Sequence, residues 1–251
     1  RFPDICDLLQ QVTNIREAHS SNYNVEACAD NYWIMFDYNR GYADDLEASG
    51  IMSLERLPKF SWHYFRSQRS PLEHPMVFIA HYWDGTDTAL VEVQVLSNAE
   101  QVGLWLNDKL VERRDPPFTF VVPRFEKGWI KAGAYYAGQL CARDSVHTPS
   151  EAVAVEWWLD TGNIPASAND LLFVYAKAVD RQGHPVPSAK GRVLFTLEGQ
   201  EMWLIGEEPG GSVVQTLRAE APLRAGIAFA LLQLTPLWDG SQPQLTVTMN
   251  P

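Results

Sequence analysis

The stretch VEVQVLSNAEQVGLWLNDKL, residues 91–110, decides the fold of most of the chain. Apolar and polar side chains alternate over residues 91–96, as they do in a strand with one buried and one exposed face. A second apolar run follows, and the pair Asn107-Asp108 after it is typical of a tight turn between two strands. This part of the chain is therefore predicted to form an antiparallel β-sandwich.

Similar short strands, with no helix between them, continue in both directions from this stretch. They predict two successive β-sandwiches with a seam at residues 148–151. The predicted strands of the first sandwich are 76–82, 89–96, 101–106, 118–122 and 129–137, with a further turn at Glu126-Lys127-Gly128. The predicted strands of the second sandwich are 152–159, 171–180, 192–197, 213–219, 226–233 and 243–249.

The residues before Pro75 show a different pattern. Apolar side chains recur at helical spacing from Asp4 to Ser20, and Asp4, after Pro3, is expected to cap this helix. The run YWIMFDY, residues 32–38, does not alternate, which predicts a strand buried on both faces as in a parallel sheet. A second amphipathic helix is predicted near Phe60 to Arg69. Helix, buried strand, loop and helix together follow the rhythm of an α/β barrel.

Composition narrows the classes of function. The chain has 251 residues, a net charge of −11 and no apolar run long enough to cross a membrane, so neither nucleic acid nor a membrane is expected as a partner. Nine Trp and nine Tyr suit sugar binding, because a flat ring matches the apolar face of a pyranose. The aromatic cores of β-sandwiches explain the same count, and both interpretations stay open.

The three cysteines, Cys6, Cys28 and Cys141, lack metal-ligand spacing and are predicted to be free, buried thiols, with a Cys6–Cys28 disulfide left open. The compartment is open among the periplasm, the cytoplasm and secretion. Arg1 rather than Met stands first, which we interpret as a chain that starts partway through a longer protein.

Three motifs in order resemble glycoside hydrolase family 2. The segment 32–71 is similar to the end of the family's catalytic barrel, through Trp33, Asp37, Gly50-Ile51 and Pro58-Lys59. HYWDG at 81–85 with 91–110, and NDLLFVYAKAVDRQGHPVP at 169–187, resemble its two following modules. The resemblance implies a C-terminal fragment of a (β/α)8 barrel at residues 1–74, followed by two immunoglobulin-like β-sandwich domains at 75–150 and 151–251.

The resemblance is strongest to β-galactosidase-like members, including those that act on algal galactans. Family glucuronidases carry an Asn-x-Lys that grips the sugar carboxylate, whereas Glu47, Ala48 and Ser49 stand at those positions here. A carboxylate there repels an anionic sugar, so a neutral β-glycoside is the expected substrate.

The family's nucleophile and acid/base lie on earlier barrel strands, and we expect both on residues that this chain does not contain. Glu17 and Glu26 are interpreted as solvated carboxylates, so the chain alone is expected to be inactive and to need the N-terminal part of the same enzyme. No cofactor is identified; Mg²⁺ or Na⁺, and a homo-oligomer, stay open.

The resemblance implies that the end of the eighth barrel strand lines the pocket for an oligosaccharide substrate. The expected substrate-binding residues are Trp33, Asp37, Tyr38, Asn39 and Arg40. Barrel packing is the alternative for Trp33, a salt-bridged turn for the polar residues after it, and a solvated charge for Lys59.

Two aromatic groups carry weaker expectations. His81-Tyr82-Trp83 is interpreted as packing more readily than as part of the pocket, and at most one of Trp157 and Trp158 is expected to be exposed. The competing hypothesis for the whole chain is a carbohydrate-binding or structural β-sandwich protein without catalysis.

Overall fold

A computed structural model describes residues 5–25, 28–42, 46–85, 89–199, 202–207 and 213–250. The chain divides into two compact units, Arg1–Thr148 and Pro149–Pro251. Pro3, Asp4 and Glu26 lie outside the described residues, so the predicted helix cap and one of the two weighed glutamates have no structural account. The domain boundary predicted after residue 74 stays a prediction.

The first unit contains two helices and two β-sheets of a sandwich, with a short hairpin between the helices. Its elements are α1 Ile5–Tyr23, β1 Tyr38–Asn39, β2 Leu46–Glu47, α2 Phe60–Arg66, β3 Val77–Ile79, β4 Ala89–Ser97, β5 Gln101–Leu106, β6 Lys109–Arg114, β7 Thr119–Arg124, β8 Trp129–Tyr136 and β9 Gln139–His147. The elements of the second unit are β10 Ala154–Asp160, β11 Leu171–Val179, β12 Arg192–Glu198, β13 Met202–Glu207, β14 Val213–Thr216, β15 Arg218–Pro222, β16 Ile227–Leu234 and β17 Gln244–Asn250.

The first sandwich packs the sheet β3-β4-β7 against the sheet β6-β5-β8-β9. All pairings in both sheets are antiparallel. Alternate residues of each strand point into one apolar core, which includes Val93, Val95, Val102, Leu104, Phe120 and Ile130. Asn107 and Asp108 have φ angles of 47° and 65°, so the predicted tight turn between β5 and β6 is confirmed.

The two helices pack onto this sandwich through a second apolar cluster. Its buried members are Leu8, Val12, Ile15, Phe60, Tyr64, Ala80 and Leu96. Asn98 joins the residues after α2 to the sandwich, because its amide donates to the carbonyls of Arg69 and His74 and accepts from the N–H of Met76. Residues 81–83 contribute to packing, since Trp83 is fully buried in the sandwich core and Tyr82 packs against the second cluster.

The second unit is likewise a sandwich, with the sheet β10-β11-β16-β13-β14 facing the sheet β15-β12-β17. Its core is built from alternate apolar residues such as Val174, Phe195, Leu204 and Leu232. The turn after β11 is organised by Asp180, whose buried carboxylate accepts hydrogen bonds from the N–H groups of Ser150, Gln182 and His184. These bonds hold the pKa of Asp180 well below its usual range.

The run at residues 32–38 differs from its prediction as a strand buried on both faces. Trp33 is 70% exposed and Met35 57% exposed, and only Tyr38 and Asn39 are in a strand, which pairs antiparallel with β2. The run was predicted to be buried because its residues are mostly apolar. Amino-acid composition does not show which other residues of the fold cover a segment. Among the described residues, only the segment 51–52 and β2 supply backbone partners to this run.

Other predictions from the sequence need smaller corrections. Strands β6, β9 and β13 were missed, and the predicted strand 213–219 is divided into β14 and β15. Trp157 and Trp158 are 38% and 39% exposed, because β10 lies at the edge of its sheet and its inward side is covered only in part. Cys6 and Cys28 are free as predicted, but both are exposed.

Within the described residues, neither helix has the length and apolarity to cross a membrane.

The contact between α2 and β3 predicts a dependence of stability on pH. The His63 ring stacks on Phe78 with ring centroids 3.6 Å apart, and burial lowers the pKa of His63 from 6.5 to about 4. The unfolded chain takes up this proton near pH 6.5, but the folded chain only near pH 4. The free energy of unfolding should therefore fall by about 3 kcal/mol between these pH values.

Urea unfolding of the wild type and of His63→Phe, at several pH values from 7 to 4, tests this expectation. The variant keeps a ring against Phe78 and removes the titrating group, so its stability should change less over that range. Parallel curves for the two proteins would contradict the assignment to His63.

Candidate functional site

The segment 33–40 is held in place by a second extended segment, 50–52. The N–H groups of Ile51 and Met52 donate to the carbonyls of Ile34 and Met35 at 3.1 and 2.9 Å. The N–H of Asp37 donates in return to the carbonyl of Met52 at 3.0 Å, and Phe36 and Met52 form a parallel bridge. The backbone under Trp33 to Asp37 therefore has a defined position.

Gly50 allows the two segments to approach this closely. A Cβ atom at residue 50 would lie 2.2 Å from the backbone nitrogen of Asp37 and 2.6 Å from the carbonyl oxygen of Met52. Neither atom belongs to a flexible side chain, so any larger residue would push the segments apart. Glycine in the Gly50-Ile51 motif is thus required by packing.

A buried ion pair lies beneath the segment 33–40. The side chains of Asp37 and Lys59 are each 3% exposed, and the Lys59 ammonium donates to the Asp37 carboxylate at 2.8 Å. The same carboxylate oxygen accepts from the N–H of Gly50, while Lys59 also donates to the carbonyl of Ala48, both at 2.8 Å. Burial raises the pKa of Asp37, and the hydrogen bond from Lys59 opposes that shift.

The buried pair bears on the expectations for Lys59 and Asp37. The interpretation of Lys59 as a solvated charge is wrong. Asp37 faces Lys59 and Gly50 inside the fold, so its carboxylate has a structural partner where a sugar hydroxyl was expected. Its predicted role in substrate binding remains a prediction.

A second charged group closes the β1–β2 hairpin. Arg40 bonds Glu47 through two guanidinium nitrogens, with Nε at 2.9 Å from Oε2, and the Ser49 hydroxyl donates to the other carboxylate oxygen at 2.6 Å. These contacts lower the pKa of Glu47, chiefly through Ser49 and then Arg40. The alternative of a salt-bridged turn thus describes Arg40, whose partner is Glu47.

The remaining predicted residues differ in accessibility. Trp33 and Asn39 are exposed, while Tyr38 is partly buried and lies opposite Glu47 in the hairpin. Barrel packing, the alternative for Trp33, finds no covering residues within the described part of the chain, since the side chain is 70% exposed. Trp33 thus lies five residues before the β1–β2 hairpin on the same extended segment. The binding of substrate by Trp33, Tyr38, Asn39 and Arg40 stays a prediction.

Sequence reasoning missed Gln11, which connects both helices to the site. Its amide nitrogen donates to the carbonyls of Ser49 and Gly50 at 3.1 and 2.9 Å, and its amide oxygen accepts from Ser61 at 3.0 Å. The Tyr32 hydroxyl also donates to the carbonyl of Ser49. Residues separated by so many positions carry no local signal, although a polar Gln11 amid the apolar positions of α1 was visible.

No three His, Cys, Asp or Glu side chains lie close enough together to hold a metal ion among the described residues. Glu17, which was interpreted as solvated, is exposed on α1. The binding of Mg²⁺ or Na⁺ by this chain stays open.

Comparison with protein families gives one match within the first sandwich. Residues 89–142 match a family model described as a domain of unknown function, DUF4982. The matched region covers β4 to β8 and the start of β9, and excludes the segment 33–40.

Curated relatives and solved structures extend the match over most of the chain. A β-galactosidase of Thermoanaerobacter pseudethanolicus is 32% identical over 70% of this chain and 27% of its own length. A β-glucuronidase of Formosa agariphila is 31% identical over 71% of this chain and 19% of its own length. A solved β-glucuronidase from glycoside hydrolase family 2 superposes with a TM-score of 0.67 at 26% identity, over 87% of this chain and 25% of that one.

The chain thus spans less than a third of each of these proteins. The resemblance stated from the three sequence motifs is confirmed.

The ion pair predicts a specific pattern of stability. Lys59→Met should lower the free energy of unfolding by about 3–5 kcal/mol, because it leaves the Asp37 carboxylate buried without a counter-charge. Adding Asp37→Asn removes the uncompensated charge and keeps an oxygen for the N–H of Gly50. The double variant should therefore be more stable than Lys59→Met alone.

Urea unfolding of the two single variants and the double variant gives the coupling energy. Additive losses would mean that the two side chains do not act as a pair. The exposed pair of Lys131 and Asp108 is a suitable control, and Lys131→Met should cost less than about 1 kcal/mol.

Proposed function

This chain is a relative of glycoside hydrolase family 2, and we propose that it forms the C-terminal part of a retaining glycoside hydrolase. The proposed substrates are β-galactosides or related neutral β-glycosides, including oligosaccharides of algal galactans. The relatives that carry these names, a β-galactosidase and two β-glucuronidases, support hydrolysis of a β-glycoside without deciding the sugar. The nucleophile and the acid/base are assigned to the N-terminal part of the enzyme.

The observation that carries this proposal is that the Trp33 side chain is exposed, while the backbone next to it is fixed by hydrogen bonds. Its neighbours Ile34 and Met35 are bonded to the segment 50–52, and Asp37, two residues after Met35, is paired with the buried Lys59. A large aromatic side chain exposed on a backbone held in this way offers a flat surface to the apolar face of a sugar ring. Asn39, exposed on β1, offers an amide for hydrogen bonds to hydroxyls.

We further propose that residues 1–74 form the last strand and helices of a (β/α)8 barrel whose other strands belong to the N-terminal part. The parallel bridge between Phe36 and Met52 and the exposed Tyr32 and Met35 support this placement. Parallel strands are normally covered on both faces, and apolar side chains in this number favour a neighbouring surface over water. In such a barrel the segment 33–40 lies at the carboxyl end of the strand, where substrates bind.

The proposed preference for neutral sugars rests on how the charges are paired. Glu47 has its charge balanced by Arg40, so the repulsion of an anionic sugar is weaker than an isolated carboxylate would give. Two nearby cations, Arg40 and Lys59, are however already bonded to carboxylates. Binding a uronate at this hairpin would require Arg40 to leave Glu47, which disfavours it against a neutral hexoside.

The first expectation concerns catalysis. The 251-residue chain should not hydrolyse 4-nitrophenyl β-galactoside, whereas the enzyme reconstituted with its N-terminal part should. In that enzyme, Trp33→Ala should lower kcat/KM by about tenfold to a hundredfold because the stacking surface is lost. Tyr23→Ala, which truncates an equally exposed ring at the end of α1, should leave kcat/KM within about twofold.

Turnover by the chain alone would place the catalytic carboxyls within it and contradict the proposal. An unchanged kcat/KM in Trp33→Ala would remove Trp33 from the pocket.

The second expectation concerns the sugar. The reconstituted enzyme should have a higher kcat/KM for 4-nitrophenyl β-galactoside than for the matching β-glucuronide. Glu47→Gln removes the partner charge of Arg40, so it should raise kcat/KM for the glucuronide and change the galactoside value less. Glu17→Gln, on an exposed face of α1, is the matched control and should alter neither value.

Faster hydrolysis of the glucuronide by the wild type would contradict a neutral substrate.

A further inference from the structure

The outer face of the sheet β6-β5-β8-β9 contains a shallow open cavity of about 710 Å³. Aromatic and polar side chains line it together, including Trp105, Trp129, Lys131, Tyr135, Arg143 and Ser145. We refer to these six residues as the platform. None of them belongs to the segment 33–40, and the first four lie within the region that matches a domain of unknown function.

Two glycines create the floor of the platform. Gly103 of β5 and Gly133 of β8 are directly opposite each other, so neither residue places a side chain of its own on this face. A Cβ atom at Gly103 would lie 2.4 Å from Cη2 of Trp105, and one at Gly133 would lie 3.3 Å from its Cζ3. The six-membered ring of Trp105 therefore lies across both glycines, with the backbone beneath it and the cavity beside it.

Further aromatic rings extend the floor along β8. Trp129 is 36% exposed, and Tyr135 lines the same cavity from the other end of the strand. Arg113 covers one face of Tyr135, with its guanidinium carbon 3.7 Å from the ring centroid, which holds that ring in position. The platform is thus an apolar strip along the sheet surface.

Polar groups stand along one side of this strip. Arg143 and Ser145 are exposed on β9 and lie opposite Gly133 and Lys131 in the register of the sheet. Lys131 donates to Asp108 at 2.7 Å, and both side chains remain accessible. Guanidinium, ammonium, hydroxyl and carboxylate groups therefore border the aromatic strip within one cavity.

This combination matches the chemistry of a carbohydrate chain. A pyranose has an apolar face of C–H groups that stacks on an aromatic ring, and a rim of hydroxyls that both donate and accept hydrogen bonds. Charges of both signs beside the ring fit such a rim better than they fit a wholly apolar partner, and the acidic Asp108 and Asp144 disfavour a nucleic-acid backbone.

We propose that the platform is a carbohydrate-binding site, in which a pyranose stacks on Trp105 and its hydroxyls bond to Arg143, Ser145 and Lys131. The site is separate from the segment 33–40 and its role does not depend on hydrolysis by the proposed enzyme. Arg143 also suits a sugar carboxylate, so neutral and uronate-containing chains are both recognisable by the same chemistry and are separated by the test.

The test uses the 251-residue chain, titrated by calorimetry with β-1,4-galactotetraose, cellotetraose and a glucuronate-containing tetrasaccharide. At least one should bind with a Kd between about 10 µM and 1 mM. Trp105→Ala should weaken that binding by about tenfold or more, and Trp105→Phe by less, because phenylalanine keeps a ring. Gly103→Ala should also weaken it, because the added Cβ displaces the Trp105 ring while the ring itself is retained.

Arg143→Ala provides a variant that leaves the packing intact, since the side chain is exposed. It should weaken binding by about threefold to tenfold, with the larger effect on the glucuronate-containing chain if that chain binds. Trp157→Ala is the control, because it removes an exposed Trp from the second unit and should leave the Kd unchanged.

Thermal melting of each variant shows whether the fold is retained. Three results would overturn the proposal: no binding of any of the three probes, unchanged binding in both Gly103→Ala and Arg143→Ala, or binding that is lost in Trp157→Ala and kept in Trp105→Ala. Loss of β-galactoside hydrolysis in the reconstituted enzyme would leave the result at the platform unaffected, so the two proposals fail separately.

Discussion

The buried pair of Asp37 and Lys59 is the interaction on which the candidate site depends. It joins the extended segment 33–40 to the residue that precedes α2, and each partner makes one additional hydrogen bond to the backbone of the loop 48–50. Desolvating both charges is costly, and only full hydrogen bonding offsets that cost. Because Phe60, directly after Lys59, packs into the cluster shared by the helices and the sandwich, the pair also connects the exposed Trp33 to the body of the first unit.

The sandwiches could be predicted from the sequence because their signals are local. Alternation in β4 shows which residues face the core, and the Asn107-Asp108 turn shows where the chain reverses. β6 and β9 were missed because polar and charged residues occupy many of their positions, which hides the apolar alternation of a strand. Alternation also assigned Trp157 and Trp158 to opposite faces, but it could not show that β10 is an edge strand, where both remain accessible.

The candidate site was predicted less completely, for a different physical reason. The motif residues Asp37, Gly50 and Lys59 were each identified, yet their purpose became visible only through contacts across the loop. A carboxylate and an ammonium separated by 22 positions carry no periodic signal of their pairing. The pairing of Arg40 with Glu47 also has no periodic signal in the sequence. Because the two charges neutralise each other, the loop repels an anionic sugar less than an unpaired Glu47 would. The apolar run around Trp33 was read as buried because composition reports apolarity and not the surface that covers it.

The two facing glycines beneath Trp105 separate recognition from folding. The ring rests on main chain that the sheet hydrogen bonds already hold, and Trp105 is not a member of the core cluster on the other side of the same strands. Changes at Arg143 or Ser145 can therefore alter which ligand is preferred without repacking the interior. A surface of this kind can acquire a new specificity through single substitutions at little cost in stability, which makes it a practical starting point for engineering.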